Sequence, residues 1–192
     1  MVLVRIIAGT YKGHRIQAVP SNATRPTTDK VKEALFQMIG PFFEGGQFLD
    51  LFAGSGGLGL EALSRGMHRG IFVDQQSKAI QTIHANIKSL HLKDRTEVYR
   101  TDAFRALKAA GKRQLEFDYI FLDPPYTKIA YKKILEHIES NGLCHRDTLI
   151  VCEHDAKEHL ADTYSRFRRI RSEVYSNSIA VSIYKIGDDD SE

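Results

Sequence analysis

Asp123-Pro124-Pro125-Tyr126 sets a carboxylate, two prolines and an aromatic ring directly behind Phe117–Leu122, a strand-like run with no charge after Asp118. Such a run reads as a strand buried in a parallel sheet. Proline lacks an N–H and fixes φ, so the strand stops at the acid and a stiff loop follows. In open α/β sheets, ligands bind at the carboxyl ends of strands. The Asp123 carboxylate and the Pro124 carbonyl are two acceptors held close together, and they suit both hydrogens of a planar –NH2 group. An exocyclic amine on a base is a poor nucleophile because its lone pair is delocalised into the ring. Two acceptors can hold the nitrogen with that lone pair turned toward an electrophile. The Tyr126 ring offers a stacking face for a base, worth about 1–3 kcal/mol. Pro125 keeps the loop stiff. Taken alone, the same four residues also describe a rigid turn without chemistry.

A second group lies upstream. Gly54-Ser55-Gly56-Gly57-Leu58-Gly59 fits G-x-G-x-x-G between a strand and a helix. The glycines permit a tight turn and a close approach of backbone to ligand. Asp74 ends the next strand, 20 residues after Gly54, where an acid accepts from ribose hydroxyls. The fingerprint alone fits a dinucleotide and hence a NAD-dependent dehydrogenase. Asp50 argues otherwise. It stands four residues before Gly54, badly placed beside a pyrophosphate and well placed for an ammonium. The ligand that joins adenosine to an ammonium without phosphate is S-adenosylmethionine. Capping of loop N–H groups is the alternative role for Asp50. Asp102 ends the third strand, where it can accept from the adenine amine, cap the following helix, or do both. Phe52, Ala53, Ser55, Gln75 and Ala103 adjoin these positions and complete the candidate cofactor set.

The elements that must carry these groups alternate. Residues 3–18 hold two β-like runs around Gly9-Thr10-Tyr11-Lys12-Gly13, a hairpin. A polar linker, PSNATRP, leads to Thr27-Thr28-Asp29, any of which can cap a helix. Val31, Leu35, Met38 and Ile39 then define an amphipathic helix over 29–39, with Lys30, Lys32 and Glu33 off its apolar stripe. From residue 47 the pattern is strand, turn and helix, repeated: QFLDLF, GIFVD, TEVYRT, FDYIFLD and TLIVCE are strands with helices between them. KEHLADTY reads as a short helix. RRIRSEVYS and IAVSIYKI read as a closing antiparallel pair. This is α/β alternation, a doubly wound Rossmann-like sheet with right-handed crossovers. The expected organisation is a hairpin and linker over 1–28, a catalytic domain over 29–186, and an acidic, disordered tail over 187–192.

Composition suits this picture. The 192 residues allow one α/β domain with a core. No apolar run approaches the roughly 20 residues that span a bilayer. MVLVRIIAG is too short and too soon charged for a signal peptide. Cys144 and Cys152 make no disulfide framework, so a cytoplasmic setting is expected. The net charge is +3, but four acids lie in the last six residues, and the rest of the chain has 27 bases against 20 acids, a balance of +7. Residues 1–28 contain Arg5, Lys12, Arg15 and Arg25 and no acid. A basic body with a basic N-terminal segment favours a polyanionic partner. Tyr11, Lys12, His14 and Arg15 are the candidate RNA contacts, against a merely solvated hairpin tip. Arg25, Thr27 and Thr28 could touch RNA, touch the cofactor, or cap the helix. Arg166, Arg168, Arg169 and Arg171 form either a second phosphate contact or a solvated strand face. Glu153-His154-Asp155 with Glu158-His159 has no clean metal-ligand spacing, and no metal is expected.

LDLFAGSGGLGLEALSRG with Asp74, Asp102 and DPPY resembles the class I S-adenosylmethionine-dependent methyltransferases that act on exocyclic amino nitrogens. RIIAGTYKGHRIQAV, RPTTDKVKEALFQMI and the closing YSNSIAVSIYKI are similar to a narrower group, the bacterial 16S rRNA guanine-N2 methyltransferases of the RsmD type. The match spans nearly the whole chain except the acidic tail. The resemblance implies a seven-stranded sheet with its last strand antiparallel. It implies one methyl transferred to N2 of one guanine in a small-subunit rRNA hairpin loop, on an assembled or partly assembled subunit; a monomer is expected. Asp50, Gly54, Gly56, Gly59, Asp74, Asp102 and Asp123 to Tyr126 match the family motifs. The residues themselves leave open adenine N6 or a glutamine amide as acceptor, because DPPY recognises –NH2 and not the ring behind it. A dehydrogenase leaves Asp50 and DPPY without a role. Intact Asp123 and Tyr126 argue against a binding module without catalysis.

Overall fold

The computed structural model describes residues 3–20, 28–125 and 131–188. The chain divides into two compact units, Met1–Ala103 and Phe104–Glu192. In the first, β1 (Leu3–Arg5) and β2 (Arg15–Gln17) pair antiparallel as the expected hairpin. Helix α1 covers Asp29–Ile39, the bounds read from periodicity, and Thr28 is its cap, accepting from the Val31 N–H through Oγ1. Next come β3 (Gln47–Asp50), α2 (Gly57–Ser64), β4 (Arg69–Asp74), α3 (Ser77–Ser89), a 3-10 turn and β5 (Thr96–Arg100). The strands stand in the order β5-β4-β3, all parallel.

The second unit opens with α4 (Ala103–Lys112, its first residue at the boundary) and β6 (Phe117–Leu122). It continues through α5 (Tyr131–Ser140), β7 (Cys144–His154), β8 (Thr163–Tyr164), β9 (Phe167–Val174) and β10 (Ala180–Ile186). Its strand order is β6-β7-β10-β9-β8. β6 and β7 are parallel, and β10 runs antiparallel to both β7 and β9. The closing pair is therefore antiparallel as expected, and β8, of two residues, is a strand beyond the expected seven. Parallel strands joined by helices explain the unbroken apolar runs: Phe48, Leu49, Phe72, Val73, Ile120, Phe121 and Leu122 are all buried.

Two local expectations need correction. The helix expected over KEHLADTY does not form. Asp155 instead starts a turn, its side chain accepting from Lys157 N–H at 2.8 Å and its carbonyl from Glu158 N–H at 2.9 Å. The Leu160 and Ala161 carbonyls then bond Arg169 and Tyr184 side chains, so the backbone never returns to a helical ladder. Lys32, expected off the apolar stripe, is 1% exposed. Its Nζ donates to the Arg5 carbonyl at 2.6 Å and lies 3.5 Å from Glu61 Oε2.

Candidate functional site

The first unit brings three strand ends together. β3 ends at Asp50, which is 2% exposed. Half-buried Phe52 and buried Ala53 lead into the glycine loop. Ala53 N–H donates to the Val73 carbonyl at 2.9 Å, pulling the loop onto β4. Asp74, the last residue of β4, closes the arrangement: Oδ2 accepts from Gly54 N–H and Oδ1 from Gln76 N–H, both at 2.9 Å. The Asp74 carbonyl accepts from Thr101 N–H at 3.1 Å, which ties in the end of β5. Gln75 is exposed, Asp102 half-buried, and Ala103 begins α4 at 3% exposure. Each Asp74 oxygen keeps a lone pair beyond its backbone bond, so the expected ribose role remains chemically open.

The glycines divide by task. Gly54 and Gly56 have φ of +56° and +83°, in the left-handed region that glycine enters without strain. Among the described residues, nothing lies within 4 Å of where a Gly54 Cβ would stand. Gly56 caps α2 with no side-chain hydrogen bond. Gly59 serves packing: a Cβ there would meet the Phe72 ring at 2.4 Å and the Phe48 ring at 2.6 Å. An uncapped helix start, an open glycine backbone and a carboxylate at the next strand end fit an adenosyl ligand.

In the second unit Asp123 follows β6 directly and is half-buried, Pro124 is buried and Pro125 exposed. Tyr126 lies outside the described residues. Tyr131, at the start of α5, is buried, and its hydroxyl donates to the Glu153 carbonyl. Burial, with Cys152 and Asp123 nearby, pushes the Tyr131 phenol far above its ordinary value. Burial also pushes the Cys152 thiol well up.

On the hairpin, Lys12, His14 and Arg15 are exposed and Tyr11 is half-buried. The Tyr11 carbonyl accepts from His14 N–H at 3.0 Å, and the two rings meet edge to face at 6.0 Å. Arg25 and Thr27 lie outside the described residues. On β9, Arg169 pairs with Asp162 and Arg171 with Glu173, while Arg166, just before the strand, is exposed.

The polar residues that hold the hairpin were not singled out from the sequence. Glu61, fully buried in α2, accepts from Ile7 N–H at 3.0 Å and Ala8 N–H at 3.1 Å. It also pairs with Arg65 Nε at 2.9 Å and with Lys32. Burial pushes the Lys32 ammonium below the usual lysine range, and Glu61 draws it partly back. Arg65 Nη2 finds no acceptor among the described residues, and its guanidinium carbon sits 4.9 Å from the Phe36 ring centroid. Ser64 Oγ donates to the Ala8 carbonyl at 2.6 Å and accepts from Tyr11 N–H at 3.0 Å. Gly9 allows this approach, since a Cβ there would lie 1.9 Å from the Ser64 carbonyl oxygen. An acid inside the apolar helix run GLGLEALS was the signal for Glu61.

The alternating fold, the glycine loop and the acid at the end of β4 define a Rossmann-like α/β protein, and its likenesses place it in the methyltransferase class. A solved structure described as "Putative methyltransferase yhhF from Escherichia coli" superposes with a TM-score of 0.84 at 29% identity, over 96% of this chain and 98% of that one. A family model described as "Conserved hypothetical protein 95" matches residues 4–185, and the chain belongs to this family. The chain is 51% identical to the "Putative rRNA methyltransferase YlbH" of Bacillus subtilis, over 95% of this chain and 98% of the relative. It is 30% identical to the "Ribosomal RNA small subunit methyltransferase D" of Escherichia coli, over 95% of this chain and 89% of the relative. These likenesses agree with the RsmD-type resemblance and favour a methyltransferase over a dehydrogenase. Among the described residues, no helix is long and apolar enough to cross a membrane.

Proposed function

We propose that this protein methylates the exocyclic N2 of one guanine in 16S rRNA, using S-adenosylmethionine, on an assembled or partly assembled small ribosomal subunit in the cytoplasm. The observation that carries the reading is the pair of strand-end motifs: an open glycine loop tied to Asp74, and Asp123-Pro124 at the end of β6. The likeness to small-subunit rRNA methyltransferases supports the choice of RNA. The cofactor supplies a methyl group activated on a sulfonium. Asp74 holds the ribose hydroxyls, Asp102 the adenine amine and Asp50 the ammonium. Asp123 and the Pro124 carbonyl accept the two hydrogens of the guanine amine and turn its lone pair outward. Tyr126 stacks on the base, and Pro125 keeps the loop stiff. The amine becomes acidic once methylated, so its proton leaves without a strong base. Tyr11, Lys12, His14, Arg15 and Arg25 contact the RNA backbone. The enzyme works as a monomer.

The test uses labelled S-adenosylmethionine and small subunits from cells lacking this protein, with nucleosides resolved by mass spectrometry. Label in N2-methylguanosine is expected, and label in N6-methyladenosine instead would reject the substrate. Asp123→Ala should abolish turnover while leaving cofactor affinity within about tenfold, roughly 1.4 kcal/mol. Full activity in that variant would end the two-acceptor mechanism.

A further inference from the structure

Asn86 lies within α3 and is 1% exposed. Both of its amide hydrogens and its amide oxygen are bonded. Nδ2 donates to the Gln17 carbonyl and to the Ser55 carbonyl, both at 2.9 Å, and Oδ1 accepts from Gln17 N–H at 2.8 Å. Turned over, the oxygen would face two carbonyl oxygens, so the orientation is set by the partners. Gln17 ends β2 of the hairpin, and the Asn86 amide bonds its backbone as a neighbouring strand would. Ser55 belongs to the glycine loop. The Ser55 carbonyl and the Gly56 N–H share one planar peptide. That N–H donates to the Ala53 carbonyl at 2.8 Å, so the peptide is held at both ends. It stands directly before left-handed Gly56, which opens α2.

We propose that Asn86 is a positioning residue that couples the hairpin to the cofactor loop, so that a ligand ordering the loop also stiffens the hairpin edge. The proposal rests on the reading of the glycine loop as the S-adenosylmethionine cradle. The coupling is reciprocal, so whatever orders the hairpin also favours the cofactor-ready loop. Ser64 supplies the contrast: it holds the hairpin through Ala8 and Tyr11, and its side chain makes no bond to Ser55.

The test measures S-adenosylhomocysteine binding by calorimetry and amide hydrogen exchange at Gln17. In the unaltered protein, the ligand should slow exchange in the loop and at Gln17 N–H together. Asn86→Leu, similar in volume and without polar atoms, should weaken binding by about tenfold or more. Gln17 should then no longer respond to ligand. Ser64→Ala should loosen the hairpin near Ala8 and Tyr11 while leaving affinity within about twofold. Equal losses of affinity in both variants, or normal affinity in Asn86→Leu, would overturn the coupling. So would ligand binding to the unaltered protein with unmoved Gln17 exchange, a result that needs no variant to fold. An unaltered protein that binds no S-adenosylhomocysteine would remove the cofactor reading and the coupling with it.

Discussion

Around α2, Glu61 lies buried between Lys32 and Arg65 as an ion-paired cluster. Around β7, by contrast, Tyr131, Cys144 and Cys152 are neutral groups, and burial raises each of their pKa values further. The first arrangement fixes direction. A carboxylate that must satisfy two cations and two backbone N–H groups admits one placement of the hairpin on α2. The second arrangement is directed by single bonds, such as that of the Tyr131 hydroxyl to the Glu153 carbonyl, and Cys152 mainly fills space as a small hydrophobe. The polar cluster sits on α2, the helix that follows the glycine loop. The neutral groups sit in sheet packing, where density decides stability.

This contrast predicts a ranking of effects. Glu61→Ala should cost the most, about 3–5 kcal/mol, because it strands two buried cations and two N–H groups. Urea denaturation checks this, and a loss under about 1 kcal/mol would mean that the cluster is no firmer than a surface pair. Gly59→Ala should cost about 1–3 kcal/mol by forcing a methyl onto the Phe72 and Phe48 rings. If thermal denaturation shows no change, the helix slides freely over the sheet and the loop is not tightly placed. Tyr131→Phe should cost about 1 kcal/mol, the net worth of one hydroxyl bond to the Glu153 carbonyl. A loss as large as that of Glu61→Ala would erase the distinction between the two regions.

The smallest effect at neutral pH belongs to Cys144. Burial raises its thiol from 9.0 to about 12, with a Thr148 hydrogen bond drawing it partly back. Below pH 9 the thiol is protonated in both folded and unfolded chains, and its contribution is fully present. Above pH 9 the unfolded chain ionises first, so that contribution is lost as pH rises toward 12. Cys144→Ala should therefore lose stability less steeply than the unaltered protein between pH 9 and 12. Parallel slopes in denaturation across that range would show the thiol to be solvated.

Much of the architecture was legible before any coordinates. The Val31, Leu35 and Ile39 spacing placed α1 at its observed bounds, and Thr28 was among three cap candidates. Asp74 was found at the end of the apolar run GIFVD, Asp50 by its place inside QFLDLF four residues before Gly54, and Asp102 by following TEVYRT. The failures have one cause. Lys32 was read as solvent-facing because a lysine off the apolar stripe normally is. KEHLADTY was read as helix because its composition favours one, yet Arg169 and Tyr184 claim the carbonyls that a helix would need.

By itself the sequence determined the alternation of strands and helices and which residues stand at strand ends, because periodicity, glycine and proline act over a few residues. It also made Asp123-Pro124 a candidate site for an –NH2 group. Only the tertiary structure decided that Glu61, Lys32, Ser64 and Asn86 lie buried and join the hairpin to α2 and the glycine loop. Glu61 meets Ile7 across 54 positions and Asn86 meets Gln17 across 69. A polar group is worth burying only when its partners are present, and partners so distant in the chain leave no local pattern to read.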